Sequence, residues 1–406
     1  MELGFAEVLF VVGALLTVAA GLSGLMHGTV LSISVLAVTA GVGFGLAGAF
    51  TPSPGDEVVV EVIELALILT LFADGLVVDR ELLRRHWGPP TRAIVIAMPI
   101  TLVLLALGAK ALFPALSWPE AFLLGAVLSP TDPVVTSAIV ASTRVPDVVR
   151  HTLNVESGLN DGLAVPFVLF FLVLAEATTG AGEEALTLLG EAGIGLVIGA
   201  ALGLGGGWAL RYLPGGGITH RYEGLYALGI GLAAFGLSDA TIGNGLVAAF
   251  VAGVTLGLVE HELTEAFVGF NENFSAIFQV VTFFIFGALI VETGYEGEVL
   301  PLIAFIVFTL AIARPAAVGL AFLRSRLPLV QRGFIAWFGP KGVASMLFAL
   351  FVLNSRADER SLVFDVAAFV ILTSILAHGL TDTVGAGWIE RRMEAKGEED
   401  AAAEPG

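Results

Sequence analysis

Long apolar segments, separated by short polar ones, limit most strongly what this chain can fold into. Each has roughly 17–25 residues, the length that an α-helix needs to cross a lipid bilayer. The chain is 56% hydrophobic and 14% charged, with a mean hydropathy of +0.91, whereas a soluble domain carries about 25% charged residues. The sequence therefore predicts an all-α membrane protein with many spans.

The apolar segments predict thirteen transmembrane helices. Six spans, one linker span and six further spans give two halves of opposite orientation. A twelve-span alternative would fuse the two short, Gly-rich spans eight and nine. The predicted limits are 3–25, 30–50, 58–77, 93–113, 119–142, 150–176, 190–211, 223–238, 242–260, 272–292, 299–323, 332–354 and 362–388.

Two spans carry helix-breaking residues at matching places in the two halves. The fifth contains Pro-Thr-Asp-Pro at 130–133, and the twelfth contains Gly-Pro-Lys-Gly at 339–342. Interrupted helices at corresponding positions are typical of inverted-repeat secondary transporters, whose site lies where these helices meet. The sequence thus predicts two inverted six-helix repeats, a linker helix and two broken, crossing helices.

Charge predicts the orientation and bounds the function. Most Lys and Arg residues outside the spans fall on one side, which places the N-terminus outside and the C-terminus in the cytoplasm. A net charge of −18 is typical of a source that lives in high salt. No cysteine is present, which excludes disulfides and thiolate metal sites. No phosphate-binding Gly-x-x-x-x-Gly-Lys-Ser/Thr loop occurs, so ion gradients must supply the energy. We expect no cofactor and no nucleic-acid partner.

Two segments depart from the pattern of apolar spans that makes up the single membrane unit, residues 1–389. The acidic stretch 260–272 has apolar residues at helical spacing, which favours an amphipathic connector at the membrane interface over a regulatory element. Residues 390–406 are predicted to be a short, charged and disordered cytoplasmic tail.

Three carboxylates interrupt the apolar fifth and sixth spans. They are Asp132, Glu156 and Asp161, and an ionisable residue inside the membrane indicates a functional site by default. Ser157 and Asp161 are four residues apart and share one helix face, as do Glu156 and Asn160. Their oxygens, with the carbonyls of an unwound helix, suit a hard cation such as Na⁺.

Two buried cationic residues need partners in the membrane. We expect Arg314 to pair with Glu156, and Lys341 to pair with Asp132 or with the carbonyls of the broken helix. Asp161 would then be the one carboxylate left unpaired and free to exchange ligands.

Structural roles remain open for some of these polar residues. Ser157 is equally well explained as a hydrogen-bonding contact between helices, and Glu156 as architectural support. His378 is interpreted as a packed polar residue rather than a proton relay, and no role is indicated for Asp74.

These motifs resemble the NhaP/NHE type of monovalent cation/proton antiporters. The resemblance rests on Thr-Asp-Pro at 131–133, Asn-x-Glu-Ser-x-x-Asn-Asp-Gly at 154–162, Arg-Pro at 314–315 and Gly-Pro-Lys-Gly at 339–342. It covers nearly the whole chain, in order. The family often has arginine where this chain has Lys341, and a buried lysine changes its protonation state more readily than an arginine.

The resemblance implies a homodimer whose protomers each have two bundles. The core bundle would be about 93–176 and 299–388, the dimerisation bundle about 1–77 and 223–292, and the linker helix about 190–211. Arg314 would hold the core together. The resemblance also implies an ion site in which Asp161 binds Na⁺ with Ser157 and Thr131, surrounded by Asp132, Glu156 and Asn160.

We therefore expect exchange of cytoplasmic Na⁺, or alternatively Li⁺ or K⁺, for external protons, with a role in pH homeostasis. The Asn160-Asp161 pair places the chain in the class that the resemblance associates with electroneutral, one-for-one exchange. A passive cation channel is the alternative function. An enzyme, such as an intramembrane aspartyl protease, is disfavoured because a lysine paired with Asp132 would break up a catalytic carboxylate dyad.

Overall fold

The computed structural model describes residues 5–26, 33–76, 87–132, 145–176, 181–212, 222–259 and 265–403. Within these ranges the chain is helical and contains no strand. We number the helices in chain order: α1 Phe5–Met26, α2 Ile33–Leu46, α3 Glu57–Leu76, α4 Gly88–Leu112, α5 Trp118–Val127, α6 Asp147–Glu176, α7 Ala181–Tyr212, α8 Glu223–Asp239, α9 Gly245–Val259, α10 Glu265–Thr293, α11 Val299–Ala321, α12 Leu329–Trp337, α13 Val343–Leu353 and α14 Arg360–Ala403.

The all-helical architecture agrees with the predicted fold class. Among the described residues, five helical stretches are long and apolar enough to cross a membrane. The two predicted spans eight and nine are separate helices, α8 and α9. The count of thirteen spans and the inverted repeat stay predictions. The five stretches are Gly88–Leu112, Asp147–Glu176, Leu186–Leu210, Val299–Ala321 and Arg360–Thr381.

The predicted helix breaks lie where the helix-breaking residues stand. The twelfth span consists of α12 and α13, with the non-helical residues 338–342 between them. In the fifth span α5 ends at Val127, and residues 129–132 are not helical, because Pro130 has no N–H with which to continue the helix. Pro133 and the second half of this span, 133–142, lie outside the described residues.

Two further helices widen locally into π-helical turns. These turns are Ala93–Ala97 in α4 and Phe308–Ala313 in α11, and each is followed closely by a proline, Pro99 or Pro315. A proline cannot donate a backbone hydrogen bond to the preceding turn, and its ring crowds a carbonyl there. The hydrogen-bond pattern of that turn therefore widens from α-helical to π-helical. In the predicted inverted repeat, the fourth and eleventh spans occupy corresponding positions in the two halves.

The linker helix α7 packs closely on α9. Gly195, Gly199 and Gly203 lie one helical turn apart, and a Cβ on any of them would overlap a backbone carbonyl oxygen of α9 or of Asn244, which precedes it. The N–H of Asn244 also donates to the carbonyl of Glu191, with N···O 2.9 Å. Small residues on one face let two membrane helices approach backbone to backbone.

The structure corrects the prediction made for the C-terminal tail, 390–406. Its residues 390–403 are not disordered but continue α14 to Ala403, because the Ala, Glu, Lys and Met residues there favour helix strongly. Of the acidic stretch 260–272, residues 265–272 form the first turns of α10, and its role as a connector at the membrane interface stays a prediction. Residues 260–264 lie outside the described residues.

The α7–α9 contact predicts unequal effects for two similar substitutions. Gly199→Ala should lower the free energy of unfolding by about 1–3 kcal/mol, because the new methyl group forces two backbones apart. Gly193→Ala is the matched control on the same helix, since its Cβ would meet nothing within 4 Å. The control should be neutral or stabilising by up to about 1 kcal/mol, because alanine favours helix over glycine. Thermal unfolding in detergent measures both; equal melting temperatures would contradict the close contact.

Candidate ion-binding site

Lys341 joins the two broken helices near the middle of the molecule. It lies in the break between α12 and α13, and only 2% of its surface is exposed. Its Nζ donates to the carbonyl of Pro130 at 3.0 Å and lies 3.4 Å from that of Ser129. These carbonyls follow the C-terminal end of α5, where helical carbonyls lack partners and carry partial negative charge. The sequence left two partners open for Lys341, Asp132 or the carbonyls of the broken helix, and in the structure the ammonium donates to the carbonyls.

Asp132 makes the reciprocal contact at the other break. Its Oδ2 accepts a hydrogen bond from the backbone N–H of Val343 at 3.0 Å. Val343 is the first residue of α13, so the carboxylate sits at a positive helix end. The N–H of Asp132 donates to the carbonyl of Pro340 at 2.9 Å. A Cβ at Gly342 would overlap the Asp132 carboxylate, so only glycine permits this approach.

Arg314 forms the buried ion pair with Glu156 that the sequence predicts. Its Nη1 and Nη2 donate to the two carboxylate oxygens at 2.7 and 3.1 Å, and Nη2 also lies 3.2 Å from the carbonyl of Ile335. One guanidinium therefore connects α11, α6 and α12. Forked, two-bond contacts of this kind are the strongest that an arginine makes with a carboxylate. Gly339 leaves room for the guanidinium, since a Cβ there would overlap it.

A cluster of neutral polar groups lies beside these charges. The amide Nδ2 of Asn160 donates to Oγ1 of Thr131 at 2.7 Å, and that hydroxyl lies 3.2 Å from Oγ of Ser157. These bonds attach α6 to the break of the fifth span. Asn160 has its Oδ1 buried and without a hydrogen-bond partner among the described residues.

Asp161 is the buried carboxylate with an unused oxygen. It is 3% exposed, and its Oδ1 has no hydrogen-bond partner in the described part of the chain. The carboxylate interacts electrostatically with Asp74, Asp132 and Lys341. Asp161 thus lies among charged groups of the broken helices. Unlike Glu156, it accepts no two-bond contact from an arginine among the described residues.

All eight residues that the sequence assigns to the site or to its ion pairs are buried, with at most 6% of their surface exposed. They are therefore not part of a solvated face. Their contacts bring α6, the two breaks and α11 together around one region. The eight are Thr131, Asp132, Glu156, Ser157, Asn160, Asp161, Arg314 and Lys341.

Asp74 is a member of this region to which the sequence assigned no role. It stands in the last turn of α3, and its carboxylate interacts electrostatically with Asp132 and Asp161. The backbone of α6 approaches it closely at Gly158, where a Cβ would lie 3.3 Å from the carbonyl oxygen of Asp74. An acidic residue inside an apolar helix was the available signal.

Family and sequence comparisons give consistent matches. Residues 11–384 match the family model described as sodium/hydrogen exchanger, transmembrane. The chain is 27% identical to the K(+)/H(+) antiporter NhaP of Alkalimonas amylolytica, covering 85% of this chain and 60% of that protein. It is 28% identical to the K(+)/H(+) antiporter NhaP2 of Shewanella oneidensis, covering 93% and 66%. The chain thus spans less than two thirds of the length of either relative.

A solved structure has the same fold. The sodium proton antiporter MjNhaP1 from Methanocaldococcus jannaschii, determined at pH 8, superposes with a TM-score of 0.74 and 22% sequence identity. The likeness covers 94% of this chain and 97% of that one.

The Arg314–Glu156 contact predicts coupled effects on stability. Arg314→Ala should lower the free energy of unfolding by about 3–5 kcal/mol, because it leaves Glu156 buried without a partner. Glu156→Gln should recover part of that loss, since it removes the orphaned charge. Arg324→Ala, at an exposed position, is the control and should stay within about 0.5 kcal/mol of the wild type. Melting temperatures of the single and double variants measure the coupling; strictly additive effects would count against the pair.

Proposed function

Because the chain belongs to the sodium/hydrogen exchanger family of NhaP/NHE-type monovalent cation/proton antiporters, we propose that it exchanges an alkali cation for protons at Asp161. The observation that carries this proposal is the Oδ1 of Asp161, which is buried and has no hydrogen-bond partner among the described residues; the same holds for the Oδ1 of Asn160, the preceding residue. Both atoms are acceptors, so both are suited to a cation. The carboxylate is equally suited to a proton.

Competition for one carboxylate is the proposed basis of exchange. A charged carboxylate held away from water is unfavourable unless a partner neutralises it. The ammonium of Lys341 donates to the carbonyl of Pro130, and Asp132 is itself negatively charged, so neither neutralises Asp161 by direct contact. A bound cation or a bound proton does so, and the two exclude each other. Carrying one inward and the other outward is antiport.

The proposed cation ligands are oxygens of α6 and of the break that follows α5. Asp161 supplies a carboxylate, Ser157 and Thr131 supply hydroxyls 3.2 Å apart, and Asp74 adds negative charge from α3. An all-oxygen set suits Na⁺, the predicted ion. The names of the two relatives above specify K⁺, so potassium is the second candidate.

The position of the site supports alternating access. On the predicted bundles, α6 belongs to the moving core and α3 and α9 to the fixed dimerisation unit. Gly158 faces the backbone at Asp74, and Gly162 lies against the ring of Phe250 on α9. Glycines leave this side of α6 smooth, which suits a surface along which one bundle moves past another. The homodimer, the orientation of the termini and an origin in high salt belong to the same proposal.

The two alternatives fit the site less well. A passive channel needs a continuous pore with repeated ligands, whereas here the proposed ligands gather at one buried place. An aspartyl protease needs two carboxylates that share a water molecule, and the Asp132 carboxylate instead caps α13 at Val343.

Asp161→Asn should abolish exchange while the protein stays folded. The amide keeps the shape of the carboxylate but cannot alternate between a proton and a cation. The assay follows internal pH in proteoliposomes with a fluorescent reporter after Na⁺ or K⁺ addition. Asp147→Asn is the control, because Asp147 is an exposed carboxylate paired with Arg150, and it should transport normally. Wild-type flux in a folded Asp161→Asn variant would refute the assignment, and uncoupled cation flux in the wild type would indicate a channel.

Exchange should be electroneutral and insensitive to membrane potential. One exchangeable carboxylate carries either one cation or one proton, so each half-cycle moves the same charge. The test clamps proteoliposomes with valinomycin and potassium, then compares Na⁺/H⁺ exchange at zero and at large negative voltage. A clear dependence on voltage would contradict one-for-one coupling. It would indicate that Lys341 or Asp132 changes its protonation state during the cycle.

A further inference from the structure

His378 contacts the break of the twelfth span from the neighbouring helix α14. It is 2% exposed, and its Nε2 lies 2.9 Å from the carbonyl oxygen of Trp337. Trp337 is the last residue of α12, and carbonyls at a helix C-terminus have no partner within their own helix. That carbonyl also accepts the N–H of Gly339 at 2.9 Å, so the imidazole contacts it as a second partner from α14.

Ser374, one turn earlier on α14, contacts the other end of the same break. Its Oγ accepts the backbone N–H of Lys341 at 2.9 Å and lies 3.2 Å from Nδ1 of His378. The indole Nε1 of Trp337 adds a third link to α14, donating to Oγ1 of Thr381 at 3.1 Å. The unwound residues between Trp337 and Lys341 are thus held at both ends by one helix.

Both ring nitrogens of His378 face backbone carbonyls, Nδ1 that of Ser374 at 2.7 Å and Nε2 that of Trp337 at 2.9 Å. A carbonyl oxygen only accepts, so each contact is a hydrogen bond when that nitrogen carries a proton. Nδ1 also lies 3.2 Å from the Ser374 hydroxyl, whose oxygen accepts the backbone N–H of Lys341. In a low-dielectric interior such connected hydrogen bonds strengthen one another. The chain of contacts ends at Lys341, whose ammonium donates to Pro130 in the other break.

We propose that His378 is a positioning residue for transport: together with Ser374 it fixes the unwound segment at 338–341, and so fixes where the Lys341 charge lies relative to Asp161. The proposal rests on the proposed function, since the property that it sets is the cation affinity of Asp161. Lys341 interacts electrostatically with Asp161, so a displaced ammonium changes how strongly the carboxylate attracts a cation or a proton. His378 itself does not transfer a proton to or from Asp161 in this scheme.

Three variants test this role in the proteoliposome exchange assay. His378→Leu removes both contacts, Ser374→Ala removes the acceptor for Lys341, and His378→Gln keeps an N–H donor for Trp337. We expect His378→Leu and Ser374→Ala each to change the KM for Na⁺ or K⁺ by about fivefold or more, the effect of losing roughly one buried hydrogen bond. The pH optimum of exchange should shift as well. His378→Gln should restore most of the KM.

Each outcome decides the proposal. If KM and the pH profile stay at wild-type values in His378→Leu and Ser374→Ala, and only melting temperature and maximal rate fall, the role is merely structural and the proposal is overturned. If His378→Gln loses exchange entirely, His378 acts as a proton carrier and the proposal is also overturned. Wild-type exchange in the same vesicles separates these results from a failure of the proposed function, in which the wild type itself shows no coupled flux. Should His378→Leu not fold, Ser374→Ala gives the same KM comparison.

Discussion

The contact between the breaks of the fifth and twelfth spans, in which a charge from each covers backbone groups of the other, is the one on which the rest of the site depends. Inside a membrane no water is available for unpaired backbone groups, so a broken helix needs partners within the protein. The Lys341 ammonium covers carbonyls at the end of α5, and the Asp132 carboxylate covers an N–H at the start of α13. Each break thus supplies the charged side chain that pairs with the exposed backbone groups of the other break.

Arg314 and Glu156 form a second pair of buried charges, and their contact has a different geometry. A guanidinium reaches both carboxylate oxygens and a carbonyl of α12 at once, whereas the compact ammonium of Lys341 suits carbonyls. The two glycines of the motif at 339–342 leave space for Arg314 and for Asp132. What remains is a carboxylate, Asp161, with an oxygen that no described protein group occupies.

Sequence reasoning succeeded where the cost of burying charge leaves few choices. It predicted the helix breaks, the Arg314–Glu156 pair and a spare carboxylate at Asp161, because each follows from local residue chemistry in an apolar span. It missed the place of Asp74, which depends on how α3 packs against α6 and not on its own neighbours in the chain. The contacts of His378 were also out of reach, since Trp337 lies 41 residues away in sequence. At the C-terminus, the high content of charged residues predicted disorder, but the same residues favour helix and the segment continues α14.

The glycine contact between α7 and α9 has a mechanical consequence. Backbones that touch directly leave no flexible side chains between them to deform, so Gly195, Gly199 and Gly203 fasten α7 to α9 along two full turns of helix. On the proposed assignment of α9 to a dimerisation unit, the linker helix α7 would then move together with that unit. Any hinge that allows the core to move has to lie outside the fastened length. In the proposed antiporter, such a hinge would set the speed of transport separately from the affinity of the site at Asp161.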